Sequence, residues 1–313
     1  MHRHGRILTL LILFCVAPHV QAASFHVPKA YFAGINGGAA VADFNGDGKP
    51  DVAAANGNSN TVSILLGNGD GSLQDPVNYV ISTNTGASPI SVVAADFNGD
   101  GKVDLAVLIN NSDSDSNIAV LLGKGDGTFQ PPLATYVLIM AAGQLMAADF
   151  NGDGKLDLAI PGSGLSFVVA LGNGDGTFGS PMTYATPEYV TSLAVGDLDG
   201  DGKPDVAVTL GSNNPNSDGI VQIWLNGGDG TLRSNYSKYL HPDVGNLAIA
   251  DFNGDGILDL WLSLVSAPIP RSASFLETVM VAFSPLCTTP LRERTQVALP
   301  LVISTAMVNR IWP

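Results

Sequence analysis

Short apolar runs recur along the chain, each closed by a cluster of Gly, Asp and Asn, and none shows the spacing of an amphipathic helix. Aligned on those clusters, the runs fall into one repeating order. A first run covers 39–44, 91–97, 144–150, 191–198 and 245–252, apolar at successive positions, which predicts strands buried on both faces. A second covers 51–55, 104–109, 157–160, 205–210 and 259–264. A third, rich in β-branched and aromatic residues, covers 62–67, 118–123, 167–172 and 220–226. A fourth, around 76–81, 132–138, 181–185 and 235–240, carries proline and polar residues suited to an exposed edge. Four strands with short connections make a meander, and a meander repeated about an axis is a propeller blade. The predicted fold is therefore all-β: a β-propeller of four-stranded antiparallel blades, about five to seven of them, in a closed or incomplete ring. The segment 24–31 resembles 177–184 without a blade before it, as expected of an outer strand that completes the last blade.

The punctuation between first and second runs is nearly invariant. Asp-Phe-Asn-Gly-Asp-Gly-Lys-x-Asp, or a close variant, begins at Asp43, Asp96, Asp149, Asp197 and Asp251, about 50 residues apart. Oxygen-bearing side chains stand at positions 1, 3, 5 and 9, a spacing that suits a hard cation wanting six to eight oxygens. The ligand sets read from this spacing are Asp43, Asn45, Asp47 and Asp51; Asp96, Asn98, Asp100 and Asp104; and Asp149, Asn151, Asp153 and Asp157. The fourth and fifth are Asp197, Asp199, Asp201 and Asp205, and Asp251, Asn253, Asp255 and Asp259. Position 7 (Lys49, Lys102, Lys155, Lys203 and Ile257) is expected to contribute only its carbonyl, so an isoleucine there is tolerated. An EF-hand needs Glu at position 12, where this chain has Ala54, Val107, Ile160, Val208 and Leu262. Its flanking helices are missing from the pattern too. The expected cofactor is Ca²⁺, one per loop and five in all. The third run ends in a second mark, Gly-x-Gly-Asp-Gly or Asn-Gly-Gly-Asp-Gly, whose single carboxylates Asp70, Asp126, Asp175 and Asp229 read as plain turn chemistry.

Charge follows the same devices. The chain carries a formal net charge of −14, and sixteen of its 28 acidic residues lie in the five loops. Five calcium ions would bring the balance to about −4, so the acidity reads as ligand stock. Nothing basic enough for nucleic-acid binding is present.

At the N-terminus, Arg3 and Arg6 precede an apolar stretch at 7–17 and the small-residue site Val20-Gln21-Ala22, the pattern of a secretory signal over 1–22. Cys15 offers a lipoprotein alternative, disfavoured by the bulky Phe14 before it. No later run reaches the roughly 18 apolar residues of a membrane span. An exported chain left with Cys287 alone has no internal disulfide, and bound metal is the obvious substitute. The organisation is thus signal 1–22, repeat region 23–267, and a tail 268–313 that lacks Gly and Asp and carries Arg271, Arg292, Arg294 and Arg310.

The run from Asp43 to Asp51, followed by Val62-Ser-Ile-Leu-Leu-Gly-Asn-Gly-Asp-Gly71, resembles the FG-GAP and VCBS repeats of integrin alpha-subunit propellers and many secreted bacterial proteins. The resemblance covers roughly 24–264. It implies a propeller with calcium in the loop between the first two strands of each blade, and no single activity. Seven blades, as in the integrin type, would exceed this chain.

Two functional classes remain open. The first is a secreted or cell-envelope module that binds a glycan or an extracellular protein. Its unequal, Asn- and Ser-rich loops at 56–60, 82–89, 110–117 and 211–218 would face away from the metal loops. The second is a calcium-dependent polysaccharide lyase. It has little to work with: His26, His241, Glu188, Glu277 and Glu293, no nucleophile motif, and Lys29, Arg233 and Lys238 as candidate bases near an axis. A third possibility is a propeller fragment completed by a partner chain. Trp224 and Trp261 fall within strand patterns and are expected in the core.

Overall fold

A computed structural model describes residues 37–265, apart from 84–85, 112–115, 138–140, 142, 163, 212–218, 241–242 and 253. The chain divides into two compact units, Met1–Phe32 and Ala33–Pro313, and every described residue belongs to the second. The signal 1–22, the strand expected at 24–31, Cys287 and the tail 268–313 lie outside the described residues, as do Asn253 and most of the loop 211–218.

The described residues form strands and turns and no helix. The first sheet holds β1 (Ala39–Ala42), β2 (Asp51–Asn56), β3 (Thr61–Leu65) and β4 (Val77–Val80) in sequential order. The second holds β5 (Ser88–Ala95), β6 (Asp104–Asn110), β7 (Ser116–Leu121) and β8 (Leu133–Val137). The third holds β9 (Met146–Ala148), β10 (Asp157–Pro161), β11 (Ser166–Ala170) and β12 (Met182–Ala185). The fourth holds β13 (Tyr189–Gly196), β14 (Asp205–Gly211), β15 (Gly219–Asn226) and β16 (Leu232–Leu240). A fifth pairs β17 (Asp243–Ala250) with β18 (Asp259–Val265). All pairings are antiparallel, so each full sheet is the four-stranded meander of a β-propeller blade.

The near-continuous apolar runs have a simple cause: the second, third and fourth sheets are each sandwiched between two others. On β6, Leu105, Val107 and Ile109 pack against the first sheet, while Ala106 and Leu108 pack against the third. On β7, Ala119 and Leu121 turn one way and Ile118 and Val120 the other. The same alternation divides β10 and β11 between the second and fourth sheets. Side chains of a strand alternate in direction, so a strand with a core on both faces must be apolar at every position. The core is thus a series of intersheet layers.

The first strands depart from the expectation of burial on both faces. β1 alternates between exposed and half-buried, and β9 is half-buried throughout. Instead β2, β3, β6, β7, β10, β11 and β14 carry the buried runs. The reason is positional. Residues at or just before the first strand of all five sheets line one shared cavity, so these strands border open space. The fourth strands are exposed edges as the sequence predicts, with Val77 and Val80 more than half exposed. Trp224 packs in the layer between the third and fourth sheets, against Phe167 and Tyr184 at centroid distances of 5.4 and 5.6 Å. Trp261 is half-buried on β18.

This layering predicts where substitutions hurt. Leu108→Ala, at a fully buried position facing the third sheet, should cost about 2–5 kcal/mol in urea denaturation, and Val77→Ala on an exposed edge within about 0.5 kcal/mol.

Candidate functional site

Each nine-residue loop links the first two strands of its sheet and folds back on its own first carboxylate. Asp96 Oδ1 accepts the N–H groups of Gly99 and Asp100 at 2.7 and 3.2 Å, and Oδ2 accepts that of Gly101 at 2.8 Å. Asp43, Asp149, Asp197 and Asp251 repeat all three bonds. Position 3 accepts from the N–H of position 5 through Asn45, Asn98, Asn151 and Asp199. Such tight wrapping needs two residues at positive φ, and Gly99 and Gly101 supply them at 75° and 80°.

The ninth position is built differently from the others. Asp51, Asp104, Asp157, Asp205 and Asp259 are at most 2% exposed, in a chain whose other loop carboxylates reach solvent. Asp104 Oδ2 accepts the N–H of Phe97 at 3.0 Å within its loop, and Oδ1 accepts that of Gly123 at 2.7 Å, where β7 leaves its sheet. Asp51 holds Phe44 and Gly67, Asp157 holds Phe150 and Gly172, and Asp205 holds Leu198 and Asn226. Asp259 holds Phe252. One buried carboxylate therefore ties the loop to the following Gly-Asp-Gly turn of the same sheet.

Those turns have a second role that the sequence did not disclose. The carboxylate of Asp126 accepts the N–H of Thr128, as plain turn chemistry requires. The glycine after it, Gly127, donates to the carbonyl of Phe44 in the preceding sheet at 2.9 Å. Gly176 does the same for Phe97, and Gly230 for Phe150, both at 3.2 Å. The loop phenylalanines pack across the same seams, Phe44 on Phe129 at 5.7 Å and Phe97 on Phe178 at 5.8 Å. Gly176 has φ 84°, and a Cβ there would also stand 2.8 Å from the Leu122 side chain, so glycine is favoured on both counts. Phe44, Phe97 and Phe150 are thus each gripped by their own aspartate through N–H and by the next sheet through C=O. A recurring Phe at position 2 and Gly after each turn Asp were the available signals.

At position 7 the side chains have contacts of their own. Lys49, Lys102, Lys155 and Lys203 pair with the position-5 aspartates at 3.2, 3.5, 3.7 and 2.8 Å, and their stems lie over the turn glycines Gly69, Gly125, Gly174 and Gly228. These pairs are partly exposed and worth little individually. Ile257 stands in the fifth loop, 37% exposed.

The donor set fits a divalent cation. Two oxygens each about 2.4 Å from one ion lie at most about 4.8 Å apart. In the fourth loop, carboxylate oxygens of three of the four expected ligands, Asp197, Asp199 and Asp205, all fall within 4.8 Å of one another, while Asp201 stands outside that group and pairs with Lys203. The loops at Asp43, Asp96 and Asp149 have the same internal bonds, with an amide in place of the third carboxylate. The catalytic alternative gains nothing: Arg233 and Lys238 stand on β16, the edge of the fourth sheet farthest from β13 and the shared cavity. Lys29, His26, His241, Glu277 and Glu293 lie outside the described residues. Two of the polar loop residues are committed internally, Asn56 to Thr61 and Ser63 and Asn110 to Ser116.

The match to one protein family agrees with this geometry. The family described as FG-GAP-like repeat matches residues 43–107, 96–160 and 149–208, each match running from one loop into the second strand of the next sheet. None of the curated proteins matches the chain. Among solved structures, a crystal structure of BBS1N in complex with ARL6DN is similar at 15% identity and a TM-score of 0.47, over 69% of this chain and 57% of that one.

Electrostatics gives the pH dependence. Burial, reinforced by the neighbouring loop carboxylates, raises the pKa of Asp104, Asp157 and Asp205 above the ordinary 3.8, although backbone N–H bonds oppose it. Hydrogen bonds from Ser72, Thr128, Thr177 and Thr231 lower Asp70, Asp126, Asp175 and Asp229 below it. A raised carboxylate holds its proton longer in the folded state, so metal-free stability should fall as pH rises above 3.8 through the folded pKa values of the first group. The second group contributes stability above 3.8 that is lost as pH falls through its folded values. Melts in chelator across pH 3–7 should therefore peak near the ordinary carboxylate pKa. Replacing Asp104 with Asn should flatten the upper limb, and an unchanged limb would remove the buried carboxylates as its cause.

Proposed function

The chain belongs to the FG-GAP-like repeat family, and from that premise we propose that it is an exported, calcium-stabilised propeller that serves as a binding or adhesion module. The observation that carries this reading is the repetition of one loop geometry in five places. Five loops share the first-carboxylate wrap, and each has a buried ninth-position carboxylate. A solvated turn has no need of either the buried carboxylate or the glycine pair. Each loop would hold Ca²⁺ through positions 1, 3, 5 and 9 and the carbonyl of position 7. The ion would supply the positive charge that lets clustered carboxylates, three in most loops and four in the fourth, stay ionised together.

A module of this kind acts through what it displays. The loops and turns meet on one face of the sheets, where the Gly127–Phe44 type of bond joins neighbours, and so are taken up with holding the blades together. Recognition of a glycan or an extracellular protein is left to the opposite connections and the axial cavity. Export follows from the signal pattern over 1–22, and binding without catalysis from the scarcity of acid, base and nucleophile candidates. Among the described residues no helix is long and apolar enough to cross a membrane.

Calorimetric titration of the chelated chain with calcium should show about five ions bound, and Asp96→Ala should remove one of them. Saturation at a hundredfold excess over the dissociation constant should add about 2.7 kcal/mol per independent site to stability. Absence of calcium uptake would overturn the metal reading. Export is checked separately: the product in the medium should begin at Ala23, and retention of residues 1–22 would contradict it.

A further inference from the structure

Five positions, each five residues before the first aspartate of its loop, converge on one cavity of about 250 Å³: Gly38, Ser91, Gln144, Ser192 and Asn246, with Thr191 beside them. They come from all five sheets, so the cavity marks the axis the blades share. Their roles divide cleanly. Gly38 donates its N–H to the Ile90 carbonyl at 2.9 Å, and a Cβ there would press on the Ser91 backbone at 3.2 Å. Ser91 Oγ accepts the N–H of Leu145 at 2.9 Å, and Ser192 Oγ that of Leu247 at 3.2 Å, each reaching the next sheet. Thr191 donates to the carbonyl of Thr209 on β14. These four groups build the wall. Gln144 and Asn246 do not: both are exposed to the cavity, and their side-chain amides make no hydrogen bond to described residues.

We propose that this axial cavity is a binding site for one small, neutral, polyhydroxylated molecule of monosaccharide or polyol size, read by the amides of Gln144 and Asn246. The lining sets the ligand class. Among the described residues it contains no ionisable side chain, although the chain as a whole has 28 acidic and 14 basic residues, so a charged ligand would lose its hydration without a counter-charge. Primary amides and hydroxyls both donate and accept, as do sugar hydroxyls. The volume lies just below the roughly 300–1,000 Å³ of drug-sized pockets, room for one compact ring. Among the described lining residues Ile90 is the one large apolar side chain and none is aromatic, which sets the expected affinity in the millimolar range. The inference rests on the binding-module reading and gives it a site.

The test is saturation-transfer NMR on the calcium-loaded full chain, with D-glucose, D-galactose, D-mannose, L-fucose and myo-inositol as probes. At least one should receive saturation. Gln144→Ala and Asn246→Ala should each weaken that probe about fivefold to tenfold, the loss of one hydrogen bond, with the melting temperature unchanged because neither amide supports the wall. No transfer to any probe, or transfer undiminished in the double variant, would overturn the axial site. The two failures are distinguishable. A calcium-stabilised chain that takes up no probe loses only the axial site, whereas a chain that ignores calcium loses the metal reading while its probe result still stands.

Discussion

A buried carboxylate accepting two backbone N–H groups holds this architecture together. Asp104 is fully buried, and burying an ionised group is expensive unless it is hydrogen-bonded or paired. Its two bonds, to Phe97 and Gly123, fix both ends of a seam. Through the Phe97 carbonyl the seam continues to Gly176 of the next sheet. Without that aspartate, the loop would keep its wrap around Asp96 but lose its tie to the turn. The burial cost is not fully offset by the bonds, which is why its pKa stays raised. A cation held by the same carboxylate would remove the remaining deficit. In this way the metal requirement and the blade seam become one physical problem.

The seams explain why the sequence is so repetitive at polar positions and so permissive at apolar ones. Intersheet layers accept any well-fitting apolar residue: Val62, Ile118, Phe167 and Val221 occupy equivalent places on their third strands. The carboxylate, the glycine pair and the turn glycine allow no such exchange, because each satisfies a particular backbone group or a particular φ. The fourth turn shows the limit of tolerance. Asn226 replaces the glycine found at 67, 123 and 172, keeps the bond from its N–H to Asp205, and adds side-chain bonds to the Phe150 and Pro204 carbonyls.

Much of the fold was legible because its period is long and its punctuation rigid. The order of four strands, the exposed fourth edge and the facing of loops and turns all follow from positions of Gly, Asp and apolar residues. What stayed hidden was relational. No pattern along the chain says that Gly127 meets Phe44, since their contact depends on how one sheet stacks on another. The exposure of β1 and β9 is hidden for a related reason: their residues are apolar, and only the shared axis shows that they border a cavity. By spacing the position-9 aspartate is one ligand among equals, whereas burial and two backbone bonds set it apart.

The claim that this carboxylate couples loop, turn and neighbouring sheet is best tested by amide hydrogen exchange on the wild-type chain and on Asp104→Ala, both in chelator. The account predicts that the substitution speeds exchange at Phe97 and Gly123, which lose their acceptor, and also at Gly176 in the next sheet, whose acceptor is the Phe97 carbonyl. Faster exchange at Phe97 and Gly123 with Gly176 unchanged would contradict the coupling, leaving the aspartate as a local fastening of one blade.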